Sequence, residues 1–163
     1  MAAEITGATL LELLPQQEPF RFVDEILEVD EDHIVSRYTF RPEADFYRGH
    51  FPGNPITPGV LLIEAMAQTG VVALGIYLVA REKGVEEVRR VLTVFTDVSA
   101  EFSGVVRPGD TVTITARKSF FRRMKLRAEV VMHKADGSLV ASATVAGMGV
   151  EARALEKHGG SGA

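Results

Sequence analysis

His50 and Glu64 are the two side chains in this chain best placed to move protons, and they stand fourteen residues apart. They belong to one run, Gly49-His50-Phe51-Pro52-Gly53-Asn54-Pro55-Ile56-Thr57-Pro58-Gly59-Val60-Leu61-Leu62-Ile63-Glu64-Ala65-Met66-Ala67-Gln68. His50 sits in a loop with three prolines, and proline removes backbone freedom, so the imidazole is held. Histidine titrates near neutrality and is the commonest general base. The competing reading of His50 is a loop histidine hydrogen-bonded for structure. Glu64 lies in the second turn of a long apolar segment. A carboxyl withdrawn from water favours its protonated form, as a general acid must. The competing reading of Glu64 is a carboxylate paired with an arginine at an interface. A base on a stiff loop and an acid on an apolar helix together favour acid–base catalysis over simple binding.

Gln68 follows Glu64 by four residues, which puts both on one helix face. Pro58-Gly59 opens the apolar segment. The first N–H groups of a helix, here those of Gly59 and Val60, are unsatisfied and carry partial positive charge. They could polarise a carbonyl whose oxygen gains charge in a transition state, or simply begin a helix. Arg117, Lys118, Arg122, Arg123, Lys125 and Arg127 form a basic cluster within eleven residues. It is either a solvated edge that resists aggregation or a dock for an acidic partner or phosphate. His33 in a turn, His133 in a strand pattern and His158 near the C-terminus lack such surroundings.

The elements that must position these groups follow from the pattern. Thr9 is suited to cap a short helix presenting Leu10, Leu13 and Leu14, which Pro15 ends. Phe20–Val29 and Ile34–Phe40 read as a hairpin around Asp30-Glu31-Asp32. Residues 42–48 read as irregular or briefly helical. Gly59–Lys83 reads as one helix, with Gly84 just past its end. Its stretch from Val60 to Ala80 is apolar enough to suggest a membrane span. A helix apolar all round is also what a buried central helix looks like, and the following strands need something to pack on. Residues 86–90 read as a charged connection. Val91–Phe102, Thr111–Ser119, Leu126–His133 and Leu139–Val150 read as four strands, the last two a hairpin across Asp136-Gly137. Strands that cluster rather than alternate with helices predict an α+β fold, an antiparallel sheet wrapped round one helix.

The 163 residues suit a single domain over 1–150, with 151–163 reading as a flexible tail. Apolar residues are 46% and charged residues 25%, as in soluble globular proteins. A net charge of -4 argues against general nucleic-acid binding. The chain has no cysteine, which excludes disulfides, thiolate nucleophiles and cysteine metal sites. Met1-Ala2-Ala3-Glu4 does not begin a secretory signal, so a cytoplasmic location is expected.

The segment from Gly49 to Gln68 resembles the His-Phe-Pro, Pro-Gly-Val-Leu and Glu-Ala-Met-Ala-Gln signature of the β-hydroxyacyl-acyl carrier protein dehydratases of FabZ type. Leu14-Pro15, Pro19-Phe20 and Val23-Asp24 resemble the family's N-terminal segment, and Val106 to Asp110 its later Pro-Gly-Asp turn. The resemblance runs from about Leu10 to Val150. It implies a hot-dog fold and a dimer in which His50 of one subunit faces Glu64 of the other, with dimers assembling into hexamers in many members. It implies a (3R)-hydroxyacyl chain on acyl carrier protein as substrate, a trans-2-enoyl thioester as product, no cofactor and no metal. His50 would take the C2 proton, Glu64 would assist departure of the C3 hydroxyl, and the Gly59 N–H would hold the thioester oxygen. Gln68 would orient Glu64, and the Ile56 carbonyl would support His50. The related FabA type, which also isomerises the double bond, has Asp at the position of Glu64, so dehydration without isomerisation is implied. Gln16-Gln17, Thr57, Glu101 and Ser103-Gly104 depart from the family pattern. These departures bear on substrate range and pathway, and none removes a proton-transfer group. The alternatives are a hot-dog thioesterase, an enoyl-CoA hydratase, or a non-catalytic subunit that binds acyl chains.

Overall fold

A computed structural model describes residues 4–156. Helix α1 (Gly7–Leu13) is capped by Thr6, whose hydroxyl accepts from the Thr9 N–H. The cap therefore lies three residues earlier than Thr9, and Thr9 is its first-turn donor. Strands β1 (Glu25–Val29) and β2 (His33–Thr39) form the first hairpin. A one-turn helix α2 (Phe46–Gly49) leads into the His50 loop. The central helix α3 spans Gly59–Lys83, 25 residues, with a π-helical segment over Gln68–Ala73. A one-turn helix α4 (Val85–Val88) occupies part of the charged connection. Strands β3 (Val91–Phe102), β4 (Thr111–Arg122), β5 (Lys125–Lys134) and β6 (Leu139–Glu151) follow. Ala152–Glu156 forms a short helix α5 where a tail was expected, and the rest of the expected tail lies outside the described residues.

The six strands form one antiparallel sheet in the order β1-β2-β4-β5-β6-β3. Alternation decides its faces. Val112, Ile114 and Ala116 of β4 are fully buried, while Thr111, Thr113, Thr115 and Arg117 are partly or fully exposed. The buried set packs with Ala128, Val130 and Met132 of β5 and Ile34 of β2 in one core with α3. Each valine, isoleucine or methionine of this set contributes roughly 1.5–3 kcal/mol on burial. The helix is long and apolar enough to cross a membrane, yet most of it is buried against this sheet. Gly70 sets how closely they approach, since a Cβ there would lie 2.8 Å from Val130 Cγ2. Gly84 ends the helix at φ +90°, a conformation glycine takes without strain.

Three strands differ clearly from the sequence reading. β1 starts at Glu25 rather than Phe20, because the Phe22 N–H and the Phe20 carbonyl bond to the Gln68 side chain instead of a neighbouring strand. β4 and β5 are longer than read. They meet at a two-residue turn, Arg123-Met124, with φ of 51° and 66°. Positive φ at both positions matches the right-handed twist of the flanking strands.

Candidate active site

The loop between α2 and α3 holds His50. The His50 Nδ1 lies 2.8 Å from the Ile56 carbonyl oxygen. A carbonyl only accepts, so Nδ1 carries the proton and donates. In the neutral ring that leaves Nε2 as a lone-pair acceptor, the state a general base needs. The backbone repeats the tie, since the Ile56 N–H donates to the His50 carbonyl at 2.9 Å. The Phe51 ring stacks on the imidazole with centroids 4.1 Å apart.

Glu64 is half-buried on α3 and accepts from Gln68 Nε2 at 2.9 Å. Gln68 is fully buried. Its second amide hydrogen goes to the Phe20 carbonyl at 2.9 Å, and its Oε1 accepts from the Phe22 N–H at 2.7 Å. Every polar capacity that holds the amide in place is thus met, and the carboxylate is aimed from a fixed point. Glu64 opens onto a recess lined by Gln16, Ala67, Val71, Val72, Thr93 and Phe95. Val71, Val72 and Phe95 give this recess an apolar side, and Gln16 and Thr93 a polar one.

Pro58 precedes α3 and its carbonyl accepts from the N–H groups of Leu61 and Leu62. The N–H groups of Gly59 and Val60 come too early for intrahelical partners. Val60 is 73% exposed. A Cβ on Gly59 would lie 3.2 Å from Phe102 Cζ, so a side chain would crowd this helix start.

A family model described as a FabA-like domain matches residues 14–146. The chain belongs to the FabA-like family. It is 37% identical over 143 residues to the 3-hydroxyacyl-[acyl-carrier-protein] dehydratase FabZ of Acetivibrio thermocellus, covering 86% of this chain and 92% of that one. It is 34% identical over 150 residues to the FabZ of Acidiphilium cryptum, covering 91% and 87%. Among solved structures it resembles the dehydratase heterocomplex ApeI:P of Xenorhabdus doucetiae, with TM-score 0.72, 13% identity, and 93% and 97% coverage. A Haemophilus influenzae thioesterase aligns with TM-score 0.63 at 17% identity over 92% and 94%. These likenesses establish the hot-dog fold that the resemblance implied, in agreement with the α+β order of elements.

In this FabA-like chain the structure brings His50 to Ile56 and Glu64 to Gln68. Among the described residues no hydrogen bond joins His50 to Glu64. Arg122 and Arg123 are exposed at the β4–β5 turn, with Lys125 beside them. Lys118 and Arg127 of the same cluster instead pair with Asp32 at 3.6 Å and Asp97 at 3.3 Å. Sequence reasoning missed the two backbone groups at Phe20 and Phe22 that seat Gln68. It also missed Gln16, Thr93 and Phe95 in the recess. Thr93 and Phe95 stand two apart on β3 and so share a face, which was the available signal for the last two. Nothing in the spacing linked residue 16 to residue 64.

Proposed function

We propose that this chain dehydrates (3R)-hydroxyacyl groups on acyl carrier protein to trans-2-enoyl thioesters, in fatty-acid or related acyl-chain biosynthesis. The observation that carries the reading is the Glu64–Gln68 hydrogen bond beside a recess lined in part by Val71, Val72 and Phe95, in a chain of the FabA-like family. His50 Nε2 takes the C2 proton. The C2–H electron pair forms the C2–C3 double bond, and the C3–O bond breaks. Glu64 protonates the leaving hydroxyl, directly or through water, so the second product is water. The Gly59 N–H, with that of Val60 beside it, stabilises the negative charge that gathers on the thioester oxygen. The reaction moves protons and expels water without redox change, so no cofactor is required.

The working unit is a homodimer whose sites form across the subunit boundary. Two features support this reading. Among the described residues the twelve-residue strand β3 pairs only with β6, and it exposes Val94, Phe95, Val98 and Phe102. Long apolar edge strands of this kind add another strand. A second copy placed there would bring a second chain beside Glu64 and Gly59. Assembly of such dimers into a hexamer is an extension of this reading. The carrier protein, which is acidic, docks on Arg122, Arg123 and Lys125, and the enzyme works in the cytoplasm.

The test is hydration of a crotonoyl-carrier protein, followed by loss of the enoyl absorbance, with crotonoyl-CoA run alongside. The reading expects hydration with preference for the carrier-bound thioester. Release of free thiol would indicate a thioesterase, preference for the CoA ester a hydratase, and no reaction with either a binding subunit.

A further inference from the structure

Tyr47 and Thr57 stand at the two ends of the loop that carries His50. Tyr47 belongs to α2, three residues before His50, and Thr57 lies immediately before Pro58 and α3. Their hydroxyls are 2.6 Å apart. Both residues are buried, at 6% and 3% exposure. Among the described residues neither hydroxyl has another hydrogen-bond partner. A buried hydroxyl without a partner is unfavourable, so each needs the other. Burial also pushes the Tyr47 phenol above its usual pKa, against the opposing effect of its hydrogen bond to Thr57.

The position of this pair gives it a consequence beyond stability. Thr57 directly follows Ile56, whose carbonyl receives the His50 Nδ1–H. The Thr57 N–H is itself fixed to the Val106 carbonyl at 2.8 Å. On the other side, the His50 N–H is fixed to the Phe46 carbonyl at 3.0 Å, inside the helical turn that holds Tyr47. The hydroxyl pair therefore ties the element that carries His50 to the segment that orients it and starts α3.

We propose that the Tyr47–Thr57 hydrogen bond is a positioning clamp that holds the Ile56 carbonyl against His50 and sets the imidazole relative to the Gly59 N–H. This rests on the reading of His50 as the base. Tyr47 and Thr57 are positioning residues and touch no substrate. Misplacing a reacting group by about 1 Å can lower a rate on the order of 10²-fold. A loosened loop displaces the ring by less, and a loss of roughly tenfold is expected.

The experiment compares Tyr47→Phe, Thr57→Val, the double variant and Thr57→Ser on a 3-hydroxybutyryl-carrier protein. It records kcat, KM and Tm for each. Each single variant should lower kcat by roughly tenfold with KM unchanged, because the substrate contacts remain. The double variant should lose no more than either single, because all three break one interaction. Thr57→Ser keeps the hydroxyl and should keep most of the rate. A fall in Tm with kcat intact in both single variants overturns the clamp, as does a double variant whose losses multiply. If Thr57→Val does not fold, Tyr47→Phe and Thr57→Ser decide the same question. Full turnover in His50→Ala is a separate result, which removes the base assignment beneath the clamp.

Discussion

The Gln68 amide donates to the Glu64 carboxylate across 2.9 Å, one helical turn further along α3. The same amide binds the backbone of residues 20 and 22, so it links the carboxylate to the segment that enters β1. Replacing it with leucine keeps the volume and removes all three bonds. The buried Phe22 N–H then loses its partner, which costs about 1–3 kcal/mol, and the part-buried Phe20 carbonyl loses one as well. Gln68→Leu should therefore lower both Tm and kcat. Gln68→Glu brings a second carboxyl next to Glu64 and should lower kcat as well. Steady-state rates and thermal melts of the two purified variants check this, and wild-type kcat in both would break the link between Gln68 and Glu64.

A site shared between subunits makes a prediction that a single-chain site does not. His50→Ala and Glu64→Gln protomers, each inactive alone, should recover part of the activity after dissociation and reassembly together. A mixed dimer holds one intact pair and one doubly defective site. No recovery in dimers verified as mixed would place both groups in one chain.

The basic turn predicts a salt-sensitive docking step. Arg122 and Arg123 are exposed and form no ion pair among the described residues, unlike Lys118 and Arg127. Reversing both to Glu should raise KM for carrier-bound substrate and leave a short uncharged thioester mimic almost unaffected. Charges at the rim act mainly on association, so the difference from wild type should shrink as ionic strength rises. Equal losses on both substrates would make the turn structural. No loss on either would move docking elsewhere, for instance to Arg81, Arg89 and Arg90.

Much of this was legible in the sequence because the signals were local. The strict alternation of Thr111–Ser119 fixed which face of β4 is buried, and the four-residue spacing of Glu64 and Gln68 put them in contact. The proline loop announced a held histidine, and the Ile56 carbonyl holds it. What stayed hidden depends on long separations or on small competitions. Phe20–Asp24 has strand-like residues, but a buried glutamine 46 positions away from Phe22 takes its hydrogen bond. Thr6 outcompeted Thr9 as the cap by three residues. The Tyr47–Thr57 bond joins two residues that separately look like ordinary loop-flanking positions.

His33 gives a pH prediction away from the site. Its Nε2 lies 3.0 Å from Glu28 Oε2 and its Nδ1 2.9 Å from Asp30 Oδ2. The hydrogen bond to Glu28 raises its pKa above 6.5. Burial opposes this, and Asp30 adds to it through its own hydrogen bond and charge. A folded-state pKa above the unfolded one gives stability that is complete below the unfolded value. It is lost as pH rises through the folded value. The stability difference between wild type and His33→Gln should therefore be largest below 6.5 and shrink above neutrality. Urea unfolding across that range measures it, and a difference that grows with pH would contradict the pairing. Asp30, on the same turn, is held below its usual value, chiefly by the Asp32 N–H, and so stays charged across this range.

The most direct test of the account is the rate of dehydration of a 3-hydroxybutyryl-carrier protein, read at the enoyl absorbance, in wild type, His50→Ala, Glu64→Gln and Glu64→Asp. Positioned proton transfer is worth about 10²–10⁴-fold. His50→Ala and Glu64→Gln should each lose activity on that scale while melting like the wild type. Glu64→Asp keeps an acid with shorter reach and should lose less. Isomerised product from Glu64→Asp would show that this position also helps set the reaction type. Wild-type turnover in either His50→Ala or Glu64→Gln would contradict the assignment of base and acid.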